Sequence, residues 1–210
     1  MTWAIVVPRV AVPPRAVPLI GEGFEKPEMK WDAGFPSKAG TWKGDAGQMV
    51  GATSGVQPKK GDYILRLDPT EKWHLSYMYR MIDVERKPLP TGDEVREVVV
   101  TASFHAATAG AEERYTVRVA TFSEAPDEVR NLWGAWQEMD ERALTFSKNA
   151  VTTLPNAEGW QSVSVTVEVP RGARAVAVSL GAGRFDRSAK RTPHFIDDVR
   201  AELRIRPRSE

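Results

Sequence analysis

The sequence predicts an all-β chain folded as an antiparallel two-sheet sandwich. Three observations lead there. Runs of alternating apolar and polar residues recur, the cleanest being Ser162-Val163-Ser164-Val165-Thr166-Val167-Glu168-Val169. Glycine and proline turn signals separate these runs, as in Pro58-Lys59-Lys60-Gly61-Asp62 and Pro170-Arg171-Gly172. Helical patterning is nearly absent, with no heptad and no repeat period. The alternation buries one face of each sheet, and 210 residues with 41% hydrophobic content suffice for one large β domain with its own core.

Residues 1–20 read as a proline-rich extended tail or linker. Pro8, Pro13, Pro14 and Pro18 favour polyproline-type backbone, with residues 5–7 available to add to a sheet edge. Residues 21–206 read as a single β-sandwich domain. Expected strands lie at 63–67, 76–83, 98–105, 115–122, 162–169, 175–180 and 194–205. One segment resists a strand reading. Pro126-Asp127-Glu128 places proline at a first helical position with acids behind it, which suits one or two helical turns.

Charge and composition exclude several function classes. The 29 basic and 28 acidic residues leave a net charge of +1 and offer no electrostatic case for nucleic acid. No apolar run approaches the ~20 residues of a membrane span, so membrane insertion is not expected. With no cysteine, disulfides and cysteine-ligated metals are excluded. The opening apolar stretch is too short for a secretory signal, and the chain begins like a linker cut from something longer.

Near the C-terminus, Phe195, Asp197, Val199, Ala201 and Leu203 share one parity. In a strand that parity is one face, so Asp197 points the way the core residues point. An unpaired carboxylate there would be costly, and a bound cation is a candidate partner.

Four segments resemble the galactose-binding-like jelly-roll family, which includes many non-catalytic carbohydrate-binding modules of bacterial enzymes and surface proteins. Gly23-Phe24-Glu25 resembles the family's opening motif, and residues 61–67 its glycine-led second strand. Gly159-Trp160-Gln161 resembles the start of a tryptophan-led late strand, and residues 195–199 the closing strand. The resemblance implies a jelly roll carried by a larger exported bacterial protein, in the periplasm or outside the cell. It also implies a structural calcium between the opening and closing motifs. Glu25 and Asp197 would be side-chain ligands, and backbone carbonyls near Lys60 and Gly61 would complete an oxygen shell. The alternative is that both acids pair with a nearby Lys or Arg, or lie at an exposed end of the sandwich.

A polysaccharide or glycan partner would use flat aromatic faces. Tyr77 and Tyr79 lie two apart on one strand and share a face, with Trp73 in the turn before them. Trp133 and Trp136 lie in the irregular segment, where binding loops often sit. These five are the expected ligand-binding residues; Trp42 and Trp160 are assigned to the core, and Trp31 is left open. No phosphate loop, nucleophile elbow or metal-spaced histidine pair points to catalysis. The acidic group Glu138, Asp140, Glu141 reads as a solvated turn. Arg184, Asp186, Arg187, Lys190 and Arg191 read as a solvated loop. The competing class is a structural or protein-interaction sandwich with no small ligand.

Overall fold

A computed structural model describes residues 15–22, 24–25, 30–31, 34–36, 38–45, 47–69, 75–85, 87–88, 94–107, 112–131, 136–152, 159–184 and 192–207. In chain order the elements are β1 (Arg15–Glu22), β2 (Lys30–Trp31), β3 (Trp42–Gly44), β4 (Gly47–Val50), β5 (Ile64–Leu67), β6 (Leu75–Asp83), β7 (Glu94–Ala106) and β8 (Glu113–Phe122). After two short helices, α1 (Pro126–Arg130) and α2 (Trp136–Arg142), come β9 (Thr145–Thr152), β10 (Gln161–Glu168), β11 (Ala175–Arg184) and β12 (His194–Pro207).

The strands form two antiparallel sheets in a sandwich of jelly-roll-like form. The larger has seven strands in the order β10-β7-β12-β5-β4-β2, with β1 also on β12; the smaller has five, β3-β6-β11-β8-β9. Between them lies the main core. Val98, Val100, Ala102 and Phe104 of β7 meet Tyr115, Val117 and Val119 of β8 across it. The Phe104 and Tyr115 rings stack with centroids 5.0 Å apart and planes 11° apart. The alternation of β10 holds: Val163, Val165, Val167 and Val169 are buried and the residues between them face solvent. Trp42 is buried, as expected, beneath the Arg80 guanidinium.

Two side chains tie the sheets along one edge. Asn149 of β9 donates to the Ser164 carbonyl at 2.8 Å, and the Thr145 hydroxyl to the Glu168 carbonyl at 2.6 Å. A second layer covers part of the outer face of the smaller sheet. Val129 of α1, Met139 of α2 and Phe35 pack there on Met81, Ala120 and Phe122. Proline opens α1 as expected, and the Glu128 carboxylate accepts from the Ala125 N–H at 2.7 Å.

Several expectations are corrected. The sheet takes in the chain from Arg15, ahead of the expected start at Gly21, because residues 15–22 pair with β12. Pro18 is tolerated there at a register break on the outermost strand. Residues 1–14 lie outside the described residues. The acidic group at 138–141 belongs to helix α2, not to a turn. Arg184 ends β11 and is buried, not solvated; Asp186, Arg187, Lys190 and Arg191 lie outside the described residues. Trp160 is only partly buried and packs outside the sandwich, edge-on to His105, with its indole N–H on the Gln57 carbonyl.

The largest correction concerns the last strand. Its register slips between Asp197 and Arg200, where Asp198 takes a left-handed backbone, φ 48°. Asp198 and Val199 together oppose the single residue Ala102, which is a β-bulge. A bulge inverts the parity beyond it. Val199, Ala201 and Leu203 therefore face the main core. Phe195 faces away from it, into a separate cluster with Val56 and Ile64, and Asp197 shares that side. Among the described residues no helix is long and apolar enough to cross a membrane.

Phe104→Ala should destabilise by ~3–5 kcal/mol, because it empties the contact between the sheets; chemical denaturation reads this directly, and a loss under ~1 kcal/mol would contradict the packing.

Candidate functional site

The outer face of the smaller sheet is built by register. Residues directly opposite in antiparallel strands point to the same side. Tyr77 of β6 stands opposite Gly181 of β11, which stands opposite Thr116 of β8, which stands opposite Ala150 of β9. This row carries small side chains beyond its tyrosine. One row toward the helices run Tyr79, Ser179, Arg118 and Lys148; one row the other way run Leu75, Gly183, Arg114 and Thr152.

Tyr77 leans over its row. A Cβ on Gly181 would stand 2.6 Å from Tyr77 Cε1, so only glycine leaves room for the ring. Tyr77 and Tyr79 stack with centroids 6.1 Å apart, and Tyr77 stays partly open while Tyr79 is buried against Phe35. Asp45 orients this strand: its N–H donates to the Tyr77 carbonyl, and its carboxylate accepts the Tyr77 N–H, each at 2.8 Å. At the helical end lies a shallow depression lined by Phe35, Tyr79, Arg118, Ala120 and Met139. At the β9 edge, Phe146 is 56% exposed with the Arg118 guanidinium 5.3 Å from its ring centroid. Asp140 of α2 pairs with that same arginine.

Of the five expected ligand residues, this face gathers Tyr77 and Tyr79. Their shared side was legible from their spacing, but the burial of Tyr79 was not. Trp73 and Trp133 lie outside the described residues. Trp136 opens α2, with its side chain outside them, as is that of Trp31 in β2. Sequence reasoning missed Arg114, Arg118, Lys148 and Phe146. The β9 run Thr145-Phe146-Ser147-Lys148 carries a weak alternation that could have flagged the last two.

The expected metal residues meet elsewhere, at the loop of residues 59–62. Asp197 is fully buried, and its Oδ2 accepts the N–H groups of Lys59 and Lys60 at 2.7 and 2.9 Å. Its Oδ1 accepts the Asp198 N–H at 2.6 Å. Burial pushes its carboxyl up from the ordinary value, against the pull of those amides. Glu25 Oε2 accepts the Asp62 N–H at 2.9 Å, and its carboxylate lies where a Gly61 side chain would be. Gly61 and both residues flanking the acids, Phe24 and Asp198, have left-handed backbone, at φ 68°, 56° and 48°. Thus the loop presents N–H groups to the acids, where carbonyls were expected. Among the described residues no group of three or more Asp, Glu or His gathers as a metal cluster. The two carboxylates are oxygen donors of the kind a hard cation takes, and each already accepts a backbone N–H.

A buried ionic trio was also missed. Glu113, at the start of β8, accepts from Arg184 Nε at 2.5 Å and lies 2.6 Å from His194 Nε2. It fastens the ends of β8, β11 and β12 together. All three are at least nine-tenths buried, which suits a structural tie.

No family model matches the chain, and no curated protein does. Solved structures are similar at low identity. The CBM22-1 xylan-binding domain from Paenibacillus barcinonensis Xyn10C has 12% identity and a TM-score of 0.45, over 91% of this chain and 97% of that one. TmCBM27, described as a mannan-recognising carbohydrate-binding module, has 14% identity and a TM-score of 0.39, over 93% and 99%. MgGH51 α-L-arabinofuranosidase has 8% identity and a TM-score of 0.48, over 78% of this chain; the chain spans 23% of that enzyme's length.

Burial also raises the Asp45 carboxyl above its ordinary 3.8, outweighing the Tyr77 N–H that lowers it. The fold therefore prefers the protonated form. Stability from this group is complete below the unfolded value and is lost as pH rises through the raised folded value. Asp45→Asn keeps an acceptor for Tyr77 and should raise Tm near neutral pH while leaving it unchanged near pH 3; scanning calorimetry at both values tests the sign.

Proposed function

We propose that this chain is a non-catalytic carbohydrate-binding module with a galactose-binding-like jelly-roll fold, part of a larger exported bacterial protein. Its glycan lies on the outer face of the smaller sheet. The observation that carries this reading is the Tyr77 ring, packed against Gly181 and partly open to solvent. A pyranose has an apolar C–H face rimmed by hydroxyls. Such a ring packs on an open aromatic side chain, and its hydroxyls meet the polar groups around it. Ser179 and the basic side chains supply those groups. A rigid ring on a sheet costs little entropy to order on binding.

A structural calcium belongs to the same reading. Glu25 and Asp197 would hold it with backbone oxygens near Lys60 and Gly61, and it would neutralise a buried carboxylate that accepts three backbone N–H groups. It would act far from the glycan face, as a clamp between β12 and the loop ahead of β5.

The competing reading is a structural or protein-interaction sandwich with no small ligand. It draws on the exposed Leu144 and Phe146 beside and on edge strand β9, at 43% and 56% exposure.

A glycan array probed with calcium-loaded protein separates the two. Binding to at least one glycan class, abolished by Tyr77→Ala in protein that still melts cooperatively, is the expected result. A blank array covering neutral and acidic glycans would sink the module reading and favour the interaction domain. For the metal, calcium should raise Tm, since it binds the folded chain alone; saturation at a hundredfold over Kd adds about 2.7 kcal/mol. Glu25→Gln keeps an acceptor for the Asp62 N–H and should erase that gain. An unchanged melting curve after chelation would remove calcium from the proposal.

A further inference from the structure

We infer that the glycan is acidic: the trough on the smaller sheet takes a uronate-bearing polysaccharide, with a sugar ring on Tyr77 and its carboxylates on Arg114, Arg118 and Lys148. This rests on the carbohydrate-binding reading above and narrows it to a ligand class.

The register makes the trough. The middle row holds Tyr77 against Gly181, then Thr116 and Ala150. Long basic side chains rise on both sides of it, Arg114 on one and Arg118 with Lys148 on the other. Successive rows on one face lie ~7 Å apart, so Arg114 and Arg118 stand ~14 Å apart along β8. That span exceeds one sugar ring, so the cations can meet carboxylates on separate residues of a chain lying across the sheet.

Arg118 and Lys148 are directly opposite in the β8–β9 register. Like charges so placed destabilise a sheet. Burial, then the charges of Arg114 and Arg118, hold the Lys148 ammonium below its ordinary range. Among the acids beside this group, Asp140 pairs with Arg118 and Asp45 accepts the Tyr77 N–H. Asp140 and the Phe146 ring hold the Arg118 guanidinium in place, which favours a forked contact with a planar carboxylate. Three cationic side chains thus share one face with the Tyr77 ring, and a polycarboxylate would meet them there.

The test uses polygalacturonate, alginate and hyaluronan, each beside its carboxyl-reduced neutral counterpart, with dextran sulfate as a non-uronate polyanion. Affinity electrophoresis and calorimetry read binding to the full chain. At least one uronate polymer should bind, and its reduced form should bind about ten- to a hundredfold more weakly, the loss expected for a charge-assisted hydrogen bond. Lys148→Glu and Arg114→Gln should each weaken it by a similar factor. Lys148 is exposed on an edge strand, so its variant carries the test if Arg114→Gln fails to fold. Equal binding of acidic and reduced polymers would overturn the acid preference and leave the module reading standing. So would neutral glycans binding while every uronate fails. Dextran sulfate binding as tightly as the uronates, with Tyr77→Ala without effect, would reduce the face to general polyanion attraction and overturn the inference. No binding to any polymer, neutral or acidic, would remove the module reading itself.

Discussion

The left-handed residue Asp198 divides the closing strand into two halves with opposite facing, and much of the larger sheet depends on it. Beyond the bulge, Val199 to Ile205 seal the main core while β1 and β7 pair on either side. Before it, Phe195 and Asp197 turn outward, where the loop of residues 56–62 closes over them. A straight strand would aim the Asp197 carboxylate at the hydrocarbon between the sheets, which only a buried counter-charge could offset. The bulge instead delivers it to the N–H groups of a turn. Asp198 tolerates its backbone because aspartate is among the few residues that visit this region, and its carboxylate meets Arg200 at 2.9 Å.

The smaller sheet divides its work differently. Its inner face is mainly apolar, and its outer face is split along the strands. One end lies beneath α1, α2 and Phe35. The other carries aromatic, small and basic residues in successive rows. The boundary between the two falls at Tyr79 and Arg118, which touch both regions. Packing at the helical end thus fixes the side chains that border the trough, so its shape follows from the hydrophobic layer beside it. A face supported in this way is ordered by its own packing.

Legibility tracked the strength of local pattern. The valine run of β10 could be read in full because period-two alternation over eight residues has one physical meaning. Helix α1 was equally readable from Pro126 and the acids behind it. Strand β9 was not, since it lies at a sheet edge with most side chains exposed, and burial had imposed no clear alternation on it. Helix α2 was missed for a related reason: only Met139 of its described side chains is buried, too little to make a stripe. The pairing of Tyr77 with Tyr79 followed from spacing. The basic residues around them stayed hidden, because Arg114, Arg118 and Lys148 come from strands separated by two helices.

By itself, then, the sequence determined the all-β class, the main inward-facing valines, the first short helix and the shared side of the two tyrosines. Each follows from local periodicity or capping, which needs only near neighbours. The tertiary structure decided which way Asp197 faces, where Arg184 is buried and which cations surround Tyr77. These depend on a one-residue bulge and on strand register, and both are set by contacts between residues distant in sequence. Parity counts residues along a single chain segment; it cannot register the extra residue that inverts it until the partner strand is in place.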